Sequence, residues 1–316
     1  MADVAVIGAG TMGHALALVF ALGGHRVRLT DNNPATLDRA PRLMQAALAS
    51  LVEAGEADRS WTAERLQRAV TCVAEAEETV RGADLVIEAI IEQPEVKRRL
   101  FAGLDPVMRP DAILASNTSY LDPFPLMPEH RLPRAIIAHW YTPPYLVDLV
   151  DIVPNPKTDP AVVEQVRGMI AAMGKKPIVF KQIVPGYVAN RIQAAIGLEV
   201  YRLLDEGLVT PREIDDSVIH GLALRWPVLG VLAKADFTGL ALLQDALRHR
   251  TYEPPPLRDN CDTLDRLIAE GRTGVAARAG FFDWGGRSPE ELYRERDRKL
   301  LALKKAMRAV GSMEPS

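Results

Sequence analysis

Apolar positions in the first half of the chain fall into short runs separated by longer amphipathic stretches. Residues 4–7, 85–87, 113–115, 136–139, 149–153 and 178–180 are brief apolar runs that read as buried strands, and residues 26–30 alternate as a strand does. Between them the spacing changes to that of helices. Residues 11–22 form one helix, stopped by Gly23-Gly24, and residues 34–51 and 63–68 form others. Repeated strand–helix alternation predicts an α/β fold, with a doubly wound, mostly parallel sheet covered by helices on both faces. After Pro185-Gly186 the strand signals vanish. Residues 187–206 carry Val188, Ile192, Ile196, Leu203 and Leu204 near one helical face, and Gly207 ends the run. Thr210-Pro211-Arg212-Glu213 and Ser288-Pro289-Glu290-Glu291 are capping boxes with proline at the first helical position. The boundary is placed near residue 184, with an α/β domain over residues 1–184 and an all-helical C-terminal domain over residues 185–316.

Length agrees with this division, because 316 residues exceed what one small core organises. The charged share of 25% and the hydrophobic share of 48% are those of an ordinary globular chain. A formal net charge of -3 gives no reason to expect nucleic acid or an anionic membrane as partner. Cys72 and Cys261 match no metal or redox spacing and read as two buried, reduced thiols. The N-terminus enters a strand without a basic leader, and the apolar run 15–22 is too short to span a bilayer, so a soluble cytoplasmic protein is expected.

Gly8-Ala9-Gly10-Thr11-Met12-Gly13 fits G-x-G-x-x-G and stands where the mechanism needs it, after a strand and opening a helix. Gly8 permits the turn, Gly10 lets backbone N–H groups approach a pyrophosphate, and Gly13 allows helix and strand to pack closely. The helix N-terminus adds unpaired donors and partial positive charge, with Thr11 and Met12 beside the phosphates. The pattern predicts a Rossmann-type nucleotide site. The next strand ends in Asp31, 18 residues after Gly13. A carboxylate there accepts from the ribose 2′-OH of NAD and repels the 2′-phosphate of NADP, and no arginine directly follows it. The alternative role for Asp31 is a helix cap ahead of Pro34. His14, in the first helical turn, reads either as a cofactor contact or as a partly solvated surface histidine.

Four further segments, Ile87-Glu88-Ala89-Ile90-Ile91-Glu92, Ser116-Asn117-Thr118-Ser119, His139 to Asp151, and Pro185-Gly186-Tyr187-Val188-Ala189-Asn190-Arg191, complete an ordered set. In order and spacing the chain resembles the 3-hydroxyacyl-CoA dehydrogenase family, from residue 3 to about residue 250, with a family-like Gly280-Phe281-Phe282-Asp283-Trp284 beyond. The resemblance implies an NAD-dependent oxidation of a 3-hydroxyl with His139 as general base, a task that suits an imidazole. It assigns Asp151 as the carboxylate that orients His139, although the family has a glutamate there. It assigns Ser119 to the reacting oxygen and Asn190 to the substrate carbonyl, where such donors stabilise oxyanion character. The bland alternatives are a turn hydroxyl for Ser119 and a helix cap for Asn190. Glu92, Lys97 and Asn117 match residues near the nicotinamide and its ribose. Thr142 departs from the family's asparagine. Asp148, at odd spacing from Asp151, should face away from the histidine.

The substrate class stays open between a 3-hydroxyacyl-CoA and a short 3-hydroxy acid. The segment after the second strand, ending Glu53-Ala54-Gly55-Glu56-Ala57-Asp58-Arg59, is acidic where coenzyme A phosphates would call for basic residues. The stretch 145–160, His139-Trp140 and Leu222-Ala223-Leu224-Arg225-Trp226-Pro227 are closer in style to the branch of lambda-crystallin-like gulonate, carnitine and pyridine-aldehyde dehydrogenases. Arg225 could grip a free carboxylate or make an internal salt bridge. A catalytically idle, crystallin-like NAD-binding protein is the competing reading. A lysine-based β-hydroxyacid dehydrogenase is disfavoured, since Lys175 and Lys176 carry no matching motif. No metal is expected, and the helical domain is expected to form a homodimer.

Overall fold

A computed structural model of the chain describes residues 1–249 and 252–313. The chain divides into two compact units, Met1–Tyr187 and Val188–Ser316. In the first unit eight strands make one sheet: β1 (Asp3–Ile7), β2 (Arg26–Thr30), β3 (Val70–Cys72), β4 (Leu85–Glu88), β5 (Ile113–Ser116), β6 (Ala135–Trp140), β7 (Leu149–Pro154) and β8 (Lys176–Val179). Their spatial order is β3-β2-β1-β4-β5-β6-β7-β8. Strands β1 to β6 run parallel, β7 is antiparallel to β6, and β8 is parallel to β7. The order reverses direction between β1 and β4, which opens the crevice where such sheets bind ligands. The mostly parallel, doubly wound sheet is the architecture the pattern predicts.

Helices α1 (Gly13–Leu22), α2 (Pro34–Ala54), α3 (Ala63–Ala69), α4 (Ala76–Val80), α5 (Pro94–Leu104) and α6 (Pro160–Ala172) make the crossovers. Nearly every residue of α1 is buried, because its sequence is apolar all round and it packs between β2 and α2. Ala5 and Ile7 of β1 share a core with Val80, Phe101 and Leu104 from α4 and α5. All six residues of β6 are buried.

Several boundaries differ from the pattern. Helix α1 begins at Gly13 rather than residue 11, because the preceding residues belong to the glycine loop. Strand β8 begins at Lys176 and contains Pro177, which an edge strand tolerates, and Phe180 falls outside it. Cys72 is exposed on β3, against the expectation of two buried thiols; Cys261 is buried, and both are free.

The second unit is helical: α7 (Ala189–Asp205), α8 (Pro211–Ser217), α9 (Trp226–Leu229), α10 (Leu232–Thr238), α11 (Leu240–Arg248), α12 (Asp262–Ala269) and α13 (Pro289–Val310). Both expected capping boxes form, at Thr210 with Glu213 and at Ser288 with Glu291. Asp205 at the end of α7 accepts from the backbone N–H of Thr263, tying α7 to α12. Among the described residues no single helix is long and apolar enough to cross a membrane.

Candidate active site

The carboxyl ends of the strands gather the chemistry. In register, Ile7 lies beside Thr30 and Glu88, and Glu88 beside Ser116. The loop after β1 carries the glycines, and each has a different reason to be there. Gly8 sits at φ 98°, and a Cβ on it would lie 2.6 Å from the carbonyl oxygen of Ala89. A Cβ on Gly13 would lie 1.6 Å from the Gly8 oxygen, so this glycine lets α1 close on the loop. A Cβ on Gly10 would meet nothing within 4 Å. Only Gly10 therefore borders open space, as a residue facing a bound pyrophosphate must. The N-terminus of α1 has no side-chain cap, which leaves its first N–H groups to a ligand.

Asp31 closes the other side of the cradle. Its Oδ2 accepts from Ala9 N at 2.7 Å and its Oδ1 from Asn33 N at 2.8 Å. The cap of α2 is Asn33, which accepts from Ala35 N, so the capping alternative for Asp31 is set aside. Two carboxylate oxygens offer about four acceptor sites, and two remain for a ribose diol. Arg26 pairs with Asp3, and Arg28 donates to the carbonyls of Glu78 and Arg81. His14 Nδ1 lies 2.6 Å from the Gly10 oxygen, and burial lowers its pKa.

His139 is 3% exposed, on the last turn of pleat in β6. Its direct cross-strand partner on β7 is Asp151, itself 2% exposed. Antiparallel pairing puts the two side chains on one face, and the shorter acid still reaches: Nδ1 lies 3.5 Å from Asp151 Oδ2. On the other side of the ring, Nε2 lies 3.2 Å from Ser119 Oγ. With Nδ1–H turned to the carboxylate, Nε2 holds a lone pair at the serine hydroxyl. Tyr187 stacks over the imidazole at 4.6 Å between centroids, and its hydroxyl donates to Thr118 O at 2.8 Å. Tyr187 holds φ 48°, a left-handed conformation that no continuing helix allows, so the expected helix from residue 187 starts at Ala189. Asp148 instead pairs with Lys175 at 3.2 Å.

The loop that carries Ser119 hangs on Glu92. Its Oε1 accepts from Thr118 Oγ1 and from the backbone N–H of Ser119 at 2.8 Å. Its Oε2 pairs with Lys97 at 3.0 Å, and Lys97 also reaches both oxygens of the fully buried Glu88, at 2.7 and 2.8 Å. Burial opposes the charge of Glu92, but the donors from Thr118, Lys97 and Ser119 outweigh it and hold the pKa down to about 2. Ser116 Oγ donates to Glu88 as well, at 2.6 Å. Asn117 Oδ1 accepts from Trp140 N at 2.8 Å, so the loop after β5 is tied to the end of β6. Thr142 donates to Met12 Sδ at 3.1 Å, bridging to the glycine loop. Among the described residues no cluster of three metal-ligating side chains occurs.

Two family models match in tandem: the NAD binding domain of 3-hydroxyacyl-CoA dehydrogenase over residues 3–183 and its C-terminal domain over residues 186–284. The chain belongs to the 3-hydroxyacyl-CoA dehydrogenase family. Members are NAD-dependent dehydrogenases acting on CH–OH groups, and the cradle described above fits that cofactor. The chain is 32% identical to L-carnitine dehydrogenase of Streptomyces griseus over 99% of its length and 91% of that protein. It is 33% identical to lambda-crystallin of Oryctolagus cuniculus, covering 73% of this chain and 72% of that one. The solved structure of 5-formyl-3-hydroxy-2-methylpyridine 4-carboxylic acid 5-dehydrogenase, described as an NAD+ dependent dismutase, superposes with a TM-score of 0.87 at 28% identity, covering 98% of this chain and 99% of that one.

Within the first unit of this family member, the structure brings His139, Asp151 and Ser119 together, and Glu92, Lys97 and Asn117 border them through the loops after β4 and β5. Lys97 is 1% exposed, with its ammonium surrounded by Glu88 and Glu92. Asn190 lies in the first turn of α7, half-buried; the cap of that helix is Val188, not Asn190. Arg225 is exposed ahead of α9. Sequence reasoning missed Tyr141, whose hydroxyl donates to Asp151 Oδ2 at 2.6 Å. Tyr141 stands two residues after His139 but just past the end of β6, so strand alternation alone did not place it beside Asp151.

Proposed function

We propose that this protein oxidises the 3-hydroxyl of a short 3-hydroxy acid to the 3-keto product with His139 as general base. The observation that carries the reading is the buried imidazole held between Asp151 on one nitrogen and the Ser119 hydroxyl on the other. In the neutral ring, Nε2 takes the proton of the substrate hydroxyl. The carbon–oxygen double bond forms as that O–H bond and the adjacent C–H bond break. Bound NAD supplies the acceptor for the departing hydride. Ser119 donates to the reacting oxygen, which fixes the hydroxyl within reach of Nε2. Asp151 stabilises the ring once it is charged, and Tyr187 covers one ring face and keeps it from rotating. Asn190 is the assigned donor to the substrate carbonyl on the strength of its motif. Asp31, with Gly8, Gly10, Thr11, Met12 and Gly13, is assigned to the cofactor's ribose and phosphates, with Glu92, Lys97 and Asn117 supporting the nicotinamide end.

A free acid is favoured over a coenzyme A ester. The end of α2 and the turn beyond it carry Glu53, Glu56 and Asp58, which would repel the phosphates of coenzyme A. Two relatives are named for small carboxylate-bearing or zwitterionic substrates, carnitine and a pyridine carboxylate.

The test is a panel of free 3-hydroxy acids and their coenzyme A esters with NAD, read by absorbance of the reduced cofactor. His139→Ala should lose roughly a hundredfold to ten-thousandfold in kcat/KM while circular dichroism stays unchanged. Full activity in that variant would remove the base. Stoichiometric NAD binding without turnover on the whole panel would favour the crystallin-like reading instead.

The working molecule is proposed to be a homodimer through the helical unit. None of the residues of α7, α9, α10 or α11 is buried within the single chain, although α7 and α11 are amphipathic and α9 is apolar throughout. Helices of that kind are stabilised by covering an apolar face rather than by propensity alone.

A further inference from the structure

Asp151 is a shared acceptor. Its Oδ2 takes the Tyr141 hydroxyl at 2.6 Å and lies 3.5 Å from His139 Nδ1. The shorter contact belongs to the phenol, not to the imidazole. An aspartate here is one methylene shorter than the glutamate expected at this position, and its side chain could turn to several rotamers around one long contact. A charge-assisted hydrogen bond from a phenol removes that freedom. The Tyr141 ring also meets the imidazole edge-on, at 4.6 Å between centroids. Tyr141 thus touches both members of the pair and is itself half-buried.

We propose that Tyr141 is a positioning residue that anchors Asp151 and, by drawing on its charge, keeps His139 free of a proton to lower pH than the carboxylate alone would. The proposal rests on His139 being the base. A carboxylate that already accepts a short hydrogen bond has less negative charge to offer an imidazolium ring. Neutral imidazole is the form that can take a proton, so the sharing extends the working range of the base downward. Burial and the Asp151 charge both raise the pKa of the Tyr141 phenol, which keeps it a donor throughout that range.

The other groups facing the ring do not duplicate this role. Ser119, from the loop after β5, meets the opposite nitrogen. Tyr187 stacks on the ring and sends its hydroxyl to Thr118. Glu92 and Asp122 exert charge on Tyr187, but Glu92 is committed to Thr118, Ser119 and Lys97, and Asp122 accepts from Phe124 N. Tyr120, the nearby phenol on the loop after β5, is exposed. Tyr141 is the side chain that donates to the carboxylate itself.

The test is Tyr141→Phe in the full chain, read two ways. With uniformly 13C-labelled protein, the ring resonance of His139, identified by its loss in His139→Gln, is titrated by NMR; this needs no substrate. The acid limb of the kcat/KM profile is measured on the best substrate from the panel. Freed from the phenol, Asp151 should hold the imidazolium more strongly, so both midpoints should move to higher pH by about one unit. Asp151→Glu, which lengthens the acid toward the ring and leaves Tyr141 in place, should move them in the same direction and serves where Tyr141→Phe does not fold. A Tyr141→Phe midpoint that is unchanged or moved to lower pH would overturn the role of Tyr141, whatever Asp151→Glu shows. Loss of activity in His139→Ala is scored separately, so the base and its positioning residue fail by different results.

Discussion

Glu92 shows how a single carboxylate can hold the loop that carries Ser119. Its pKa of about 2 lies below its ordinary value of 4.5, against the opposing push of burial, because Thr118, Lys97 and Ser119 all favour the charged form. A depressed folded-state value means that the charged carboxylate stabilises the fold at pH above the ordinary carboxylate range. That contribution is lost as pH falls from about 4.5 toward about 2. Urea unfolding at about pH 5 and about pH 3 should therefore show a decline in stability that is shallower in Glu92→Gln. An equal decline in both proteins would mean that the loop is held by other contacts. Lys97 offers a sharper test, since it is 1% exposed and Glu88 is fully buried. Lys97→Met strands two carboxylates and should cost about 3–5 kcal/mol in urea unfolding. At the cofactor end, Asp31→Asn keeps an acceptor for Ala9 N but removes the charge that opposes a 2′-phosphate. Calorimetric titration should show the preference for NAD over NADP narrowing by about tenfold, the equivalent of 1.4 kcal/mol.

At the scale of elements, the glycine loop separates packing from binding. Gly13→Ala places a methyl 1.6 Å from a carbonyl oxygen, so α1 must move off β1. It should destabilise the fold by about 1–3 kcal/mol or more. Gly10→Ala meets no protein atom and should leave the melting temperature unchanged while weakening NAD binding, because its methyl enters the open space proposed for the pyrophosphate. Thermal melts with and without NAD distinguish the two variants, and a Gly10→Ala protein that binds NAD normally would put the phosphates elsewhere. These elements were legible in the sequence because buried parallel strands are bare apolar runs and the glycines sit at fixed offsets. Strand β3 was not legible: of its three residues only Val70 is buried, so there is no run to see. Helix α4 is only five residues long and shows no period, whereas α5 and α6 went unread although Lys97, Phe101 and Leu104, and Val162, Val166 and Ile170, stand at helical spacing. Within the site, His139, Asp151 and Ser119 were readable from motif order. Tyr141 and the left-handed Tyr187 were not, because their roles depend on a cross-strand register and a backbone turn that only three dimensions supply.

For the whole molecule, the proposed homodimer rests on the helical unit. Apolar side chains on α10 and α11 stand in the open in the single chain: Leu232 is 81% exposed, Phe237 69%, Leu240 63% and Leu247 71%. Scattered exposed apolar residues need no explanation, but several on two consecutive helices are what a proposed interface there would cover. A stable association buries roughly 1,200–2,000 Å² in total, an area that two such helices from each copy could supply. Light scattering should accordingly give twice the chain mass. Leu232→Glu combined with Phe237→Glu should halve it, since a carboxylate cannot enter an apolar interface without a partner. The α/β unit has its own core, so the double variant should keep its NAD affinity while the helical unit loses stability. A wild-type chain that sediments at one chain mass across the micromolar range would instead leave those helices to be covered in some other way.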